Sequence, residues 1–164
     1  MVLELGPGSG RITRHLIGRC REILLVDYSR EACEWLQHYL AGKGAYRIYP
    51  IDKPVWPTIP AESADFACAF GVFEHIDLDD MRWYVEEMYR VLAPGGTAIF
   101  NFDNFMSEAG MEWHTRWRGE PGDRNIFRFY HPELVRRLAE ATGFCVADLR
   151  VSNSRHAEIE LKRP

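Results

Sequence analysis

The apolar run Met1–Leu5 stops against three glycines at alternate positions, 6, 8 and 10, in the stretch VLELGPGSGR. A run this short and continuously apolar reads as a buried strand. Glycines directly behind it let the chain turn sharply and bring bare backbone against a ligand. A second apolar run, residues 23–26, ends in Asp27. The spacing between the two runs leaves room for one short helix, over 11–17, so the chain starts as strand, helix, strand.

That alternation continues. Residues 30–40 place Ala32, Cys33, Leu36 and Leu40 three or four apart, an amphipathic helix with Ser29 as its cap. Residues 46–51 and 64–72 read as the third and fourth strands. Leu78, Met81, Val85, Met88 and Leu92 then recur at helical spacing, with DLDD at 77–80 as capping acids, until Pro94-Gly95-Gly96 stops the helix before a fifth strand, TAIFNF. Residues 103–129 have no clean period and read as an irregular or partly helical excursion, rich in aromatics and arginines. His131-Pro132-Glu133 opens a last helix that Gly143 closes. FCVADLRV and HAEIELKR, joined by SNSR, form two closing strands. The expectation is one α/β domain over 1–164, a doubly wound, mostly parallel sheet whose ligand sits outside the carboxyl ends of the strands.

Composition removes several functions. An apolar fraction of 46% in 164 residues supports one buried core. Twenty Lys and Arg against 24 Asp and Glu give a charge of −4 without a basic run, so no nucleic-acid partner is expected. No stretch has the length and apolarity of a membrane span or a signal segment, which places the chain in the cytoplasm. Cys20, Cys33, Cys68 and Cys145 lack the C-x-x-C spacing of a metal or redox site and read as buried reduced thiols.

The glycine spacing discriminates between cofactors. The dinucleotide fingerprint G-x-G-x-x-G requires a glycine at position 11, where this chain has Arg11; the pattern present is E-x-G-x-G-x-G. Asp27, ending the second strand, suits the two hydroxyls of a ribose in either ligand class. Taken in order, VLELGPGSGR, LLVDYS, Asp52, FACAFGVFEHI and YRVLAPGG resemble a class I S-adenosylmethionine-dependent methyltransferase of the small-molecule type, over nearly the whole chain. The resemblance implies S-adenosyl-L-methionine as cofactor and a seven-stranded sheet of order 3-2-1-4-5-7-6 with strand 7 antiparallel. It also implies roles: Gly6, Gly8 and Gly10 against the methionine part, Glu4 toward its ammonium, Asp27 on the ribose, Tyr28 near the adenine, Asp52 on the adenine amino group, and Phe70 with Gly71 beside the sulfonium.

Methyl transfer asks the protein mainly to align a nucleophile and exclude water, with a base only where the acceptor must lose a proton. His75, in FEHID, and His131 or Tyr130, in FYHP, are the candidates for that base. The fourth strand lacks the Asn/Asp-Pro-Pro-aromatic signature of nucleobase methylation, and no acidic cluster suggests a metal. The expected acceptor is therefore a small metabolite, anionic if one of Arg116, Arg118, Arg124 and Arg128 pairs with it. Relatives of the resembled type begin with an extra lid segment, whereas Met1 here abuts the first strand, so the excursion at 103–130 is expected to cover the site, with homodimerisation through it as a companion expectation. A cofactor-binding protein without turnover and a nicotinamide-dependent oxidoreductase are the rival functions.

Overall fold

The computed structural model describes residues 1–56, 58–116 and 127–164. Strands β1 (Val2–Leu5), β2 (Ile23–Asp27), β3 (Tyr46–Pro50), β4 (Ala64–Ala69), β5 (Leu92–Asn104), β6 (Phe129–Tyr130), β7 (Cys145–Arg150) and β8 (His156–Lys162) form a single sheet. Its order is β3-β2-β1-β4-β5-β8-β7, with β6 paired to the end of β5. All neighbours run parallel except β8, which is antiparallel to both β5 and β7. The expected seven-stranded order is thus present, with two added residues of β6.

Helices α1 (Thr13–Leu16), α2 (Arg30–Tyr39), α3 (Leu78–Val91), α4 (Glu108–Arg116) and α5 (Pro132–Thr142) complete the domain. Side chains alternate across each strand, so β2 sends Leu24 and Val26 to one face and Ile23 and Leu25 to the other. The first face packs on Met81, Val85 and Met88 of α3 and on Val135 and Ala139 of α5; the second meets Leu36 of α2 and Leu40 at its C-cap. Full burial of β2 explains why its sequence is apolar without alternation. Further along the sheet, the second face of β8 carries Glu158 and Glu160, tied to Arg150 of β7.

Local signals act as the sequence indicates. Ser29 Oγ accepts from Ala32 N at 3.1 Å, and Asp77 Oδ1 accepts from Asp80 N at 3.0 Å. Gly143 closes α5 with φ 109°, a left-handed position that favours glycine. Three expectations need correction. Pro94-Gly95-Gly96 does not precede the fifth strand but bulges within it: partners jump from Ala64↔Leu92 to Phe66↔Thr97. The fourth strand ends at Ala69, because Gly71 takes φ 76°. Cys145 is exposed, whereas Cys33 and Cys68 are buried; all four thiols are free.

The described part of the excursion includes α4 and the start of β6. Gly110 lets α4 sit against the end of β5: a Cβ there would lie 1.8 Å from Asn104 O. Gly110→Ala is therefore expected to displace α4 and cost about 1–3 kcal/mol, read as a lowered denaturation midpoint; an unchanged midpoint would show that the contact relaxes freely. Trp117, Arg118 and Arg124 lie outside the described residues. Among those described, no helix is long and apolar enough to cross a membrane.

Candidate functional site

The parallel strands deliver their carboxyl ends to one edge, and the glycine loop turns there. Gly6, Gly8 and Gly10 all take positive φ (66°, 52° and 83°). Asp27 fastens the loop: its Oδ2 accepts from Gly8 N at 3.0 Å, and its Oδ1 accepts from Ser29 N at 2.8 Å. A carboxylate offers about four acceptor positions, so capacity remains for two hydroxyl donors. The three glycines serve different ends. Gly10 makes room for Leu36 and Tyr39, which a Cβ would meet at 3.2 Å, whereas Gly6 lies under Val72, whose Cγ2 would stand 2.4 Å from a Cβ. Gly6→Ala forces an L residue into the left-handed region, costing roughly 1–2 kcal/mol, as well as moving Val72. It is expected to weaken S-adenosylhomocysteine binding in calorimetry more than Gly10→Ala does; equal effects would deny Gly6 a place at the ligand.

A cavity of about 700 Å³ opens in front of this loop, within the usual range of small-ligand clefts. Gly6, Asp27, Tyr28, Asp52, Gly71, Val72, His75 and Arg128 all line it. Asp27 and Asp52 therefore share one cavity with Gly6 and Gly71, residues to which the family resemblance gives neighbouring roles. Tyr28 is 66% exposed at the cavity wall. Gly8 instead faces a shallower groove on the other side of Asp27, with Ser29 and Trp35. Phe70 is half-buried at the end of β4 and is not part of the cavity lining. His75 lies in the cavity with its ring 5.3 Å from Phe127, while His131 is outside the lining and caps α5, its Nδ1 accepting from Glu133 N at 3.1 Å.

Two carboxyls are buried on the segments that lead into the glycine loop and follow Gly71. Glu4 is 3% exposed, with Thr13 Oγ1 donating to its Oε2 at 2.7 Å, and burial pushes its pKa up to about 7. Glu74, also buried, has Oε2 without a hydrogen-bond partner among the described residues; its Oε1 lies 3.7 Å from the position of a Cβ on Gly71. Asp27, Asp52, Asp77 and Asp80 line the cavity against Lys53 and Arg128, so acids outnumber bases around the ligand space. An ammonium-and-sulfonium ligand with a ribose fits this donor set.

Sequence reasoning missed a second group behind Gly71. Asn101 Oδ1 accepts from Gly71 N at 2.8 Å and fixes the end of β4 against β5. Asp103, fully buried, takes the Arg155 guanidinium on both oxygens, Nε at 2.9 Å and Nη2 at 2.6 Å, and faces His156 Nδ1 at 2.9 Å. The Arg155 guanidinium in turn lies over the rings of Trp113, at 4.3 Å, and Phe127, at 4.4 Å. The excursion's aromatics thus hold an arginine from the closing strands. Of the excursion's own described arginines, Arg128 reaches the cavity and Arg116 is exposed at the end of α4. An acid inside the apolar run IFNFDN was the available signal.

This sheet order, with a glycine loop fastened by an acid at its edge, is that of the class I S-adenosylmethionine-dependent methyltransferase fold. The solved structure of a SAM-dependent methyltransferase from Thermotoga maritima, described as a possible histamine N-methyltransferase, superposes with a TM-score of 0.77 at 21% identity, covering 99% of this chain and 82% of that one. One from Clostridium acetobutylicum gives 0.80 at 15% identity, covering 98% and 82%. In sequence the chain is 28% identical over 149 residues to malonyl-[acyl-carrier protein] O-methyltransferase of Hahella chejuensis, which covers 87% of this chain but 50% of that protein. The chain spans about half the length of that curated relative. The family profile described as "Methyltransferase domain" matches residues 3–100, and the chain belongs to that family, whose cofactor is S-adenosyl-L-methionine.

Proposed function

We propose that this chain transfers the methyl group of S-adenosylmethionine to an oxygen, nitrogen or carbon atom of a small acceptor. The observation that carries the reading is one cavity that combines Asp27 and Asp52 with Gly6 and Gly71. Bound there, the cofactor supplies an electrophilic methyl carbon on a sulfonium. The chain's own residues do the rest. Asp27 holds the ribose and, through Gly8 N, keeps the loop in place as it does so. Asp52 takes the adenine amino group and Tyr28 covers the ring. Glu4 and Glu74 face the cationic end, where low dielectric strengthens the attraction. The acceptor enters beside Gly71 and His75, with Phe127, whose ring lies against His75, shielding it from water.

The relatives support an oxygen or nitrogen acceptor, since one is described as an O-methyltransferase and another as a possible histamine N-methyltransferase. Calorimetry with S-adenosylmethionine, S-adenosylhomocysteine and NAD tests the reading. Both adenosyl ligands are expected to bind and NAD not to. Tight NAD binding alone would establish the oxidoreductase, and adenosyl binding without labelled-methyl transfer to any acceptor pool would favour a binding protein without turnover.

A further inference from the structure

The Asp103–His156 pair lies at the same sheet edge as the Gly71 turn, next to the cavity lining and not in it, and nothing in cofactor binding uses it. β5 runs parallel to β1 and β4, so Asn101 and Asp103 reach the same edge as Gly6 and Gly71. β8 runs the opposite way, which brings its first residue, His156, to that edge opposite Asp103. A chain of contacts then links the ring to the site: His156 Nδ1 lies 3.4 Å from Asn101 Nδ2, and the same amide's oxygen holds Gly71 N at 2.8 Å.

The ring's tautomer follows from its neighbours. Asp103 is a pure acceptor at 2.9 Å, so Nδ1 carries the proton and donates to it. The Asn101 amide nitrogen is then only a neighbour, and Nε2 keeps its lone pair. Arg155 already satisfies Asp103 on both oxygens, so the carboxylate does not need the histidine for burial. The His156 side chain is 46% exposed where Arg155 is 15%, which leaves a ring edge accessible.

We propose, resting on the methyl-transfer reading, that His156 is the general base of the reaction and that the acceptor is a proton-bearing hydroxyl, phenol or amine nucleophile rather than a carboxylate. As the acceptor's lone pair forms the bond to the methyl carbon, the carbon–sulfur bond breaks and its electron pair stays on sulfur. The acceptor's proton passes to Nε2, the resulting imidazolium faces Asp103, and the proton leaves to water after product departs. A carboxylate acceptor has no proton to lose and would give this pair nothing to do.

The charges around the ring are Asp103 and Arg155 beside it and Glu74 from the turn after β4; Asp103 dominates, and the His156 pKa is raised above the ordinary histidine value. A sulfonium close by would oppose that. Histidine-labelled protein, titrated by NMR with S-adenosylmethionine and with S-adenosylhomocysteine, tests the assignment without an acceptor, and His156→Gln identifies the signal among the six histidines. His156 is expected as the Nδ1–H tautomer, titrating about one pH unit lower with the cationic ligand than with the neutral one. Asp103→Asn, if it folds, should lower the titration further. Identical titrations with both ligands, an Nε2–H tautomer, or a difference confined to His75 would overturn the proposal. Failure of both ligands to bind would instead remove the methyl-transfer reading, and the base with it.

Discussion

Asp27→Ala is expected to weaken S-adenosylhomocysteine binding by about 2–4 kcal/mol, roughly 30- to 900-fold, the scale of two charge-assisted hydrogen bonds lost to a ribose. The structure adds a second route to the same loss, because the carboxylate also holds Gly8 N and Ser29 N. Asp27→Asn separates the two. Its side-chain oxygen can still accept one of those amides, so the loop should stay anchored while one ribose partner is lost. Calorimetry should place Asn between wild type and Ala. Wild-type affinity in the alanine variant would remove Asp27 from the site.

The path from sequence to this site was direct wherever one residue's chemistry decided a local conformation. Glycines at 6, 8 and 10 require turning backbone, and the acid ending β2 requires a donor; both were legible without neighbours. The sheet order came from family resemblance, since apolar runs show that strands are buried and not which strands adjoin. The split of labour among the glycines was hidden, because Leu36, Tyr39 and Val72 come from distant segments. His156 was hidden for the same reason: only the antiparallel return of β8 sets it against Asp103, 53 positions apart by residue number. Conversely His131, conspicuous before a proline, caps a helix outside the cavity. Residues of the excursion looked like an acceptor surface by composition, yet Trp113 and Phe127 pack on Arg155.

Glu4→Gln is expected to stabilise the ligand-free protein at high pH while weakening its grip on the cofactor. Burial raises the Glu4 pKa from 4.5 to about 7, so between those values the folded chain holds a proton that the unfolded chain has released. The folded state binds more protons across that window, and stability must therefore fall as pH rises through it, by about 3 kcal/mol in all. Glutamine cannot ionise and keeps an oxygen for Thr13 Oγ1, so the variant escapes the fall. In a chain of this size its melting temperature at pH 8 should exceed wild type by roughly 6–12 °C, with little difference at pH 4.5. Cofactor binding reverses the sign. A cation beside Glu4 favours the ionised carboxylate, so binding near pH 7 should release a fraction of a proton in wild type and none from this position in the variant, measured by calorimetry in buffers of different ionisation enthalpy. Loss of stability at pH 8, or equal proton release from both proteins, would show that Glu4 is a structural carboxyl with no cation to meet.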